Sequence, residues 1–369
     1  MINFSLTGVS DLSRFDTTYK DEILTSIKRV VERGWYILGP ELEAFEREFA
    51  AYLGVKNAIG VGNGSDALIL ALRALGVERK RVIVAANAGM YSTLAVLDLG
   101  GQPVFVDVDQ KTALMHLDAA AEVVASGEVD AIIITHLYGR MQNDIESFVR
   151  YARSHGIAVV EDCAQAHGAR RGNIMAGTVG DVGCFSFYPT KNLGALGDGG
   201  ALVTNDDSLA AKLRQLRQYG WSEKYRVTIL GGKNSRLDEL QAAVLRTRLP
   251  HLDEWNSARR TIAQRYAAMI DHPKVFVPPL GSTEYVAHLM VVRVKDRGVL
   301  LAHLRSAGIP FDIHYPIPDY KQPAIADGYA YVDLPETEAW AREVVTLPCF
   351  PGMTEQEIDY IASAINRWR

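Results

Sequence analysis

Runs of wholly apolar residues alternate with amphipathic stretches along the first half of the chain. Glu41 to Gly54 carries Leu42, Phe45, Phe49 and Tyr52 at helical spacing, and Gly54 is a natural C-terminal stop. Ala58 to Val61 reads as a short strand, and Asp66 to Leu75 as the helix after it. Further strands are predicted at Val82–Val84, Val104–Val106, Ala131–Ile134, Ala158–Val160, Cys184–Phe187 and Ala201–Val203. These runs are continuous rather than alternating, as in parallel strands covered by helices on both faces. Their regular order with helices predicts a layered α/β domain.

Around 206–270 the pattern becomes helical. Ser235 followed by Asp238 fits a capping box ahead of Leu237, Leu240, Val244 and Leu249, and Pro250 ends the element. Beyond about 250 prolines gather at Pro278-Pro279, Pro310, Pro316, Pro318 and Pro348, among short strands and helices. The predicted division is a large α/β domain over 1–250, including the N-terminal segment, and a smaller α+β domain over 251–369. No internal repeat or low-complexity tract interrupts either part.

Composition narrows the function classes. The 369 residues carry 39 basic and 44 acidic side chains, and no basic stripe with interleaved aromatics, which disfavours a nucleic-acid binder. Cys163, Cys184 and Cys349 lie far apart without CxxC spacing, against a zinc site or a secreted disulfide framework. Met1 to Ser5 lacks the charged and apolar regions of a signal peptide, and no apolar run reaches the roughly 18–20 residues of a membrane span. A soluble cytoplasmic enzyme is the expectation.

Three stretches carry candidate chemistry. Gly62-Asn63-Gly64-Ser65-Asp66 joins a strand to a helix, where free N–H groups and the positive dipole end suit an anion. It lacks the Lys-Ser/Thr of a Walker loop and misses GxGxxG, so a plain turn reads equally well. Glu161-Asp162 follows a buried strand, at the carboxyl edge where α/β sheets place ligands. A carboxylate there serves as a metal ligand, a general base, the partner of a protonated ring nitrogen, or simply a helix N-cap. The only histidine nearby is His167, and no set with metal-ligand spacing accompanies it. Third, Phe185 to Gly200 sets Lys191 among aromatics and glycines beside a strand. It is either a solvated loop charge or a partly buried amine with the lowered pKa that Schiff-base chemistry needs. Together the stretches supply what pyridoxal phosphate (PLP) requires: an anion cup, a carboxylate for the pyridinium nitrogen and a lysine for the aldehyde.

At these residues the chain closely resembles the DegT/StrS family of sugar-nucleotide aminotransferases, from Tyr36-Ile37-Leu38-Gly39-Pro40 to Leu347-Pro348. The most specific pieces are Glu161 to Gly168, Phe185 to Gly194 and Asn234-Ser235-Arg236-Leu237-Asp238-Glu239-Leu240-Gln241-Ala242-Ala243. The resemblance implies the fold-type I PLP-dependent transferase fold, with a mostly parallel sheet layered between helices. It implies that Lys191 forms the Schiff base, Asp162 holds the pyridinium proton, Gln165 bonds near the ring's phenolic oxygen and Ala164 packs on the ring. Gly64, Ser65 and Ser186 would hold the phosphate. Asn234 would reach a phosphate in the other subunit's site, making a homodimer the active unit. His136-Leu137-Tyr138-Gly139 matches a strand end near the cofactor, with core packing as the alternative.

Two departures stand out. Many members carry Asn-Thr-aromatic after the third strand, whereas this chain has Asn87-Ala88-Gly89-Met90-Tyr91. Either Tyr91 replaces the missing aromatic over the PLP ring or it packs in the core. Lys233 also stands where a tyrosine is common. The segment Ile313-His314-Tyr315-Pro316-Ile317-Pro318, with Gln322-Pro323, resembles members acting on 3-keto-6-deoxy sugars. The resemblance therefore implies transfer from L-glutamate to a dTDP-linked 3-keto sugar, with a 4-keto substrate as the alternative and a non-catalytic regulatory member as a third reading. Tyr36, Tyr188, Tyr219, His314 and Tyr315 are the candidate substrate contacts. A related dehydratase would carry histidine in place of Lys191.

Overall fold

The computed structural model describes residues 6–14 and 17–368; the signal-peptide reading of Met1 to Ser5 lies outside them. A seven-stranded sheet forms the centre: β1 (Asn57–Val61), β2 (Arg81–Ala85), β3 (Gln102–Val106), β4 (Ala131–Thr135), β5 (Ala158–Asp162), β8 (Val182–Ser186) and β9 (Gly200–Thr204). A short ribbon of β6 (Arg170–Arg171) and β7 (Ile174–Met175) interrupts the series. The order across the sheet is β1-β9-β8-β5-β4-β2-β3. All neighbours run parallel except β9, which is antiparallel to both β1 and β8.

Successive side chains of a strand point to opposite faces, so a strand covered on both sides is apolar throughout. In β4, Ala131 and Ile133 join one core cluster while Ile132 and Ile134 join the other. The first cluster lies under α3 (Gly64–Ala74), α4 (Tyr91–Asp98) and α7 (Asp207–Leu216). The second collects α2 (Pro40–Leu53), α5 (Leu117–Ala125), α6 (Ile145–Ser154), α8 (Glu239–Arg248) and α9 (Leu252–Met269). The N-terminal α1 (Thr17–Arg33) lays Tyr19 and Ile23 against Val244 of α8. Between α7 and α8 stands a two-stranded hairpin, β10 (Trp221–Glu223) with β11 (Arg226–Val227).

The C-terminal part builds a three-stranded antiparallel sheet from β12 (Val275–Phe276), β13 (Met290–Val294) and β14 (Val344–Leu347). Helices α10 (Arg297–Ser306), α11 (Pro335–Glu343) and α12 (Glu355–Arg367) cover it, with α12 also packed on α9. Its apolar residues are continuous with the second cluster of the large sheet.

The capping box expected of Ser235 and Asp238 is not formed. Asp238 is the cap of α8, its carboxylate accepting from Gln241 N–H at 2.9 Å, while Ser235 Oγ accepts from Gly62 N–H at 3.0 Å. Helix α3 likewise begins earlier than Asp66, at Gly64, because the Asn63 side chain caps it by accepting from Asp66 N–H at 2.7 Å.

Helix α2 has no side-chain cap of its own, since Gly39 stands at that position. The fully buried carboxylate of Glu239 serves instead, accepting from the N–H groups of Gly39 (3.0 Å), Glu41 (2.9 Å) and Leu42 (2.9 Å). Glu239→Ala would strand these donors in the interior. Losing charge-assisted bonds of this kind costs roughly 2–4 kcal/mol, seen as a lower urea midpoint at fixed protein concentration. An unchanged midpoint would mean water takes over the cap.

Candidate active site

Thr135, Asp162 and Ser186 are the last residues of β4, β5 and β8, so their side chains meet at one carboxyl edge of the sheet. Because β9 runs antiparallel to β1, its entry at Gly200 pairs with the exit of β1 at Val61, bringing the Gly62–Asp66 turn to that same edge. These residues line a cleft of about 570 Å³ together with Gly64, Ser65, Tyr91, Gln165, Tyr188 and Lys191.

Asp162 is buried, its carboxylate accepting from Ala164 N–H at 3.1 Å and from Ser92 Oγ at 3.3 Å. No helix follows it, which removes the N-cap reading. Burial pushes its pKa up, opposed by the Ala164 N–H and the charge of Lys191. Burial in turn draws the Lys191 amine down from 10.5 to about 8, opposed by Asp162. The loop carrying the lysine is anchored on both sides. Phe187 and Leu193 are wholly buried, and the Asn192 amide donates to Asn256 Oδ1 (2.7 Å) and the Val286 carbonyl (3.0 Å) while facing His288 Nδ1 (3.0 Å). The lysine is thus a largely buried amine on a rigid mount, not a solvated loop charge.

The neighbouring carboxylate is fully committed elsewhere. Glu161 accepts from the N–H groups of Gly177, Val179 and Gly180 at 2.8, 2.7 and 2.6 Å and meets His136 Nε2 at 2.8 Å. His136 Nδ1 accepts from Gln142 N–H at 3.0 Å, so Nε2 carries the ring proton and donates to Glu161. His136, Glu161 and Cys163 come within metal-ligand spacing of one another, but these hydrogen bonds already occupy the histidine and the carboxylate.

Gln165 is held at both ends of its amide. Its oxygen accepts from Tyr138 N–H at 2.6 Å and its nitrogen donates to Tyr315 Oη at 3.0 Å. Tyr138 Oη donates to the His314 carbonyl at 2.6 Å, tying the end of β4 to the 313–318 segment. His314 and Tyr315 therefore stand behind the cleft wall, reaching it through Gln165, whereas Tyr188 lines the cleft directly.

The Gly89 departure has a definite packing. Gly89 lies at φ +75°, and a Cβ there would come within 2.9 Å of the Tyr315 ring. The Tyr315 ring packs directly against Gly89 and leaves no room for a side chain there. Tyr91 lies two residues on, half-exposed at the start of α4 on the cleft rim, its ring 6.4 Å from that of Tyr315. The turn is clasped by the buried Asp319, which accepts from Met90 N–H (3.0 Å) and Thr93 Oγ1 (2.6 Å); burial lifts its pKa to about 6.

Asn234, Tyr36 and Tyr219 are exposed and do not line this chain's cleft. Tyr219 instead packs on Trp221, with the Arg236 guanidinium 5.6 Å from its ring centre. Ser92, Asn192 and Asp198 are site residues that sequence reasoning did not single out. Ser92 follows Tyr91 directly, but nothing local links it to a carboxylate 70 positions away.

Residues 17–366 match the family described as DegT/DnrJ/EryC1/StrS aminotransferases. A dTDP-3-amino-3,6-dideoxy-alpha-D-galactopyranose transaminase of Aneurinibacillus thermoaerophilus is 44% identical over 97% of this chain and 98% of its own. The solved structure of S. venezuelae DesV in complex with a ketimine intermediate superposes with a TM-score of 0.92 at 41% identity, covering 97% of each chain. NtdA from Bacillus subtilis with bound cofactor PMP gives a TM-score of 0.90 at 30% identity, over 99% of this chain and 86% of NtdA.

Proposed function

We propose that this chain, which belongs to the DegT/DnrJ/EryC1/StrS aminotransferase family, moves an amino group from L-glutamate to C3 of a dTDP-linked 3-keto-6-deoxy sugar, with PLP as cofactor. The observation that carries the reading is the largely buried Lys191 in one cleft with Asp162 and the capped start of α3. The donor set fits the cofactor: an anion cup, a desolvated carboxylate still short of strong donors, and an amine of lowered pKa. The relative named as a dTDP-3-amino sugar transaminase supports the sugar and its position.

When bound, PLP supplies an electron sink and stores the amino group between the two half-reactions. The N–H groups at the start of α3, with Ser65 and Ser186, hold its phosphate. Asp162 keeps a proton on the ring nitrogen, which a buried carboxylate does more strongly than a solvated one. Gln165, immobilised by Tyr138 and Tyr315, presents its amide to the ring edge, and Tyr91 covers the ring from the cleft rim. Lys191 Nζ would hold the cofactor's aldehyde carbon and, once displaced from it by the incoming amine, would take and return the proton at the substrate carbon. Tyr188 lines the sugar's approach, with His314 and Tyr315 shaping the wall behind it.

The working unit is a cytoplasmic homodimer in which Asn234, exposed and outside the lining of its own cleft, serves a second copy, along with Tyr36 and Tyr219 near the nucleotide. The large domain, 1–250, carries the cofactor and 251–369 closes the sugar side. Among the described residues no helix is long and apolar enough to cross a membrane. Incubation of the holoenzyme with L-glutamate and either a 3-keto or a 4-keto dTDP-sugar tests the position. Formation of the 3-amino product with 2-oxoglutarate is expected; amination of the 4-keto sugar alone would overturn it.

A further inference from the structure

The cleft is poorly charged for a phosphate. Its lining carries the carboxylates of Asp66, Asp162 and Asp198 against the amine of Lys191. Asp66 is the worst placed, because it sits in the first turn of α3, where the helix presents its N–H groups. A carboxylate there suits the helix dipole but repels a dianion bound at the same end. Lys233, the residue that stands where a tyrosine is common, meets this carboxylate: its Nζ lies 3.3 Å from Asp66 Oδ1 and 3.9 Å from Asp98 Oδ2. Its backbone is fixed, donating to the Leu216 carbonyl at 2.8 Å and accepting from Tyr219 N–H at 2.9 Å. The next residue but one, Ser235, holds Gly62 N–H at 3.0 Å, so the loop is docked on the anion turn itself.

We infer that Lys233 is a positioning residue for the cofactor phosphate. It neutralises Asp66 by holding one carboxylate oxygen, while Asn63 Nδ2 donates to the other at 3.3 Å, so that the start of α3 is free to take a dianion. The inference rests on the PLP reading above. It differs from a direct phosphate contact in that the lysine acts only through Asp66.

The experiment is equilibrium titration of apoenzyme with PLP and, separately, with phosphate-free pyridoxal, in wild type, Lys233→Met, Asp66→Asn and the double variant. Thermal unfolding of each apoenzyme checks the fold. Lys233→Met is expected to weaken PLP about tenfold, equivalent to about 1.4 kcal/mol, and to leave pyridoxal within twofold. In the Asp66→Asn background the same change should cost less than twofold. Equal cost in both backgrounds would overturn the inference, as would PLP affinity within twofold of wild type in Lys233→Met or parallel losses for PLP and pyridoxal. If wild-type apoenzyme binds no PLP, the cofactor reading itself fails.

Discussion

Lys191→Ala is expected to abolish transamination, with kcat falling at least about 10³-fold, and to remove the absorbance of the lysine-bound cofactor. The magnitude follows from two roles lost at once: capture of the aldehyde and proton transfer at the substrate carbon. Arginine at 191 should do no better, because it stays protonated and offers no nucleophile. Turnover near wild type in Lys191→Ala would refute the assignment.

The lowered pKa makes the same lysine testable by pH. With the amine at about 8, its neutral fraction rises roughly tenfold between pH 7 and 9. The rate at which apoenzyme captures added PLP should follow that rise and level off above about pH 9, whereas a roughly hundredfold rise without a plateau would mean the amine is not depressed. The linkage has a definite sign. Between about 8 and 10.5 the unfolded chain binds the proton and the native chain does not. This group therefore makes the apoenzyme more stable as pH rises through that window.

Asp162→Asn is expected to separate activity from stability. A buried charge pair costs about 3–5 kcal/mol to break, equivalent to a loss on the order of 10²–10⁴-fold in rate. Yet the ionised carboxylate is a burden on the empty protein, since burial raises its pKa. The asparagine oxygen can still accept from Ala164 N–H, so the apoenzyme should hold or raise its Tm while activity collapses. Removing the charge that props up the Lys191 amine should also move PLP capture to a midpoint below pH 8. A falling Tm with intact kcat would show that Asp162 is structural.

Much of this architecture could be read from residue order because burial on both faces writes itself into the strands. The runs at Ala131–Ile134 and Ala158–Val160 are apolar throughout since each alternate residue enters a different core. Lys191, Asp162 and the Gly64-Ser65 turn were legible because their chemistry is concentrated in short stretches. What was not legible depends on contacts between distant positions. The reversed direction of β9 leaves no local trace, as Gly200–Thr204 is as apolar as its parallel neighbours. Ser235 and Asp238 have capping spacing, but the serine is drawn off by Gly62, 173 positions away. The cap of α2 comes from Glu239 in another helix, which no scan around Gly39 would find.

The packing of Tyr315 against Gly89 also bears on how this sequence can change. Restoring an aromatic at 89 on its own drives a side chain into the Tyr315 ring at a backbone angle that disfavours any side chain. Shrinking Tyr315 on its own opens a void beside the turn and frees the Gln165 amide. Neither single step is neutral, and the positive φ at 89 strains a side chain there even when Tyr315 is reduced, so exchanging the pair also requires the turn backbone to change. A descendant of this chain is locked into its own way of walling the cleft, and a graft that places an aromatic at 89 must carry the backbone of the 87–91 turn along with both positions.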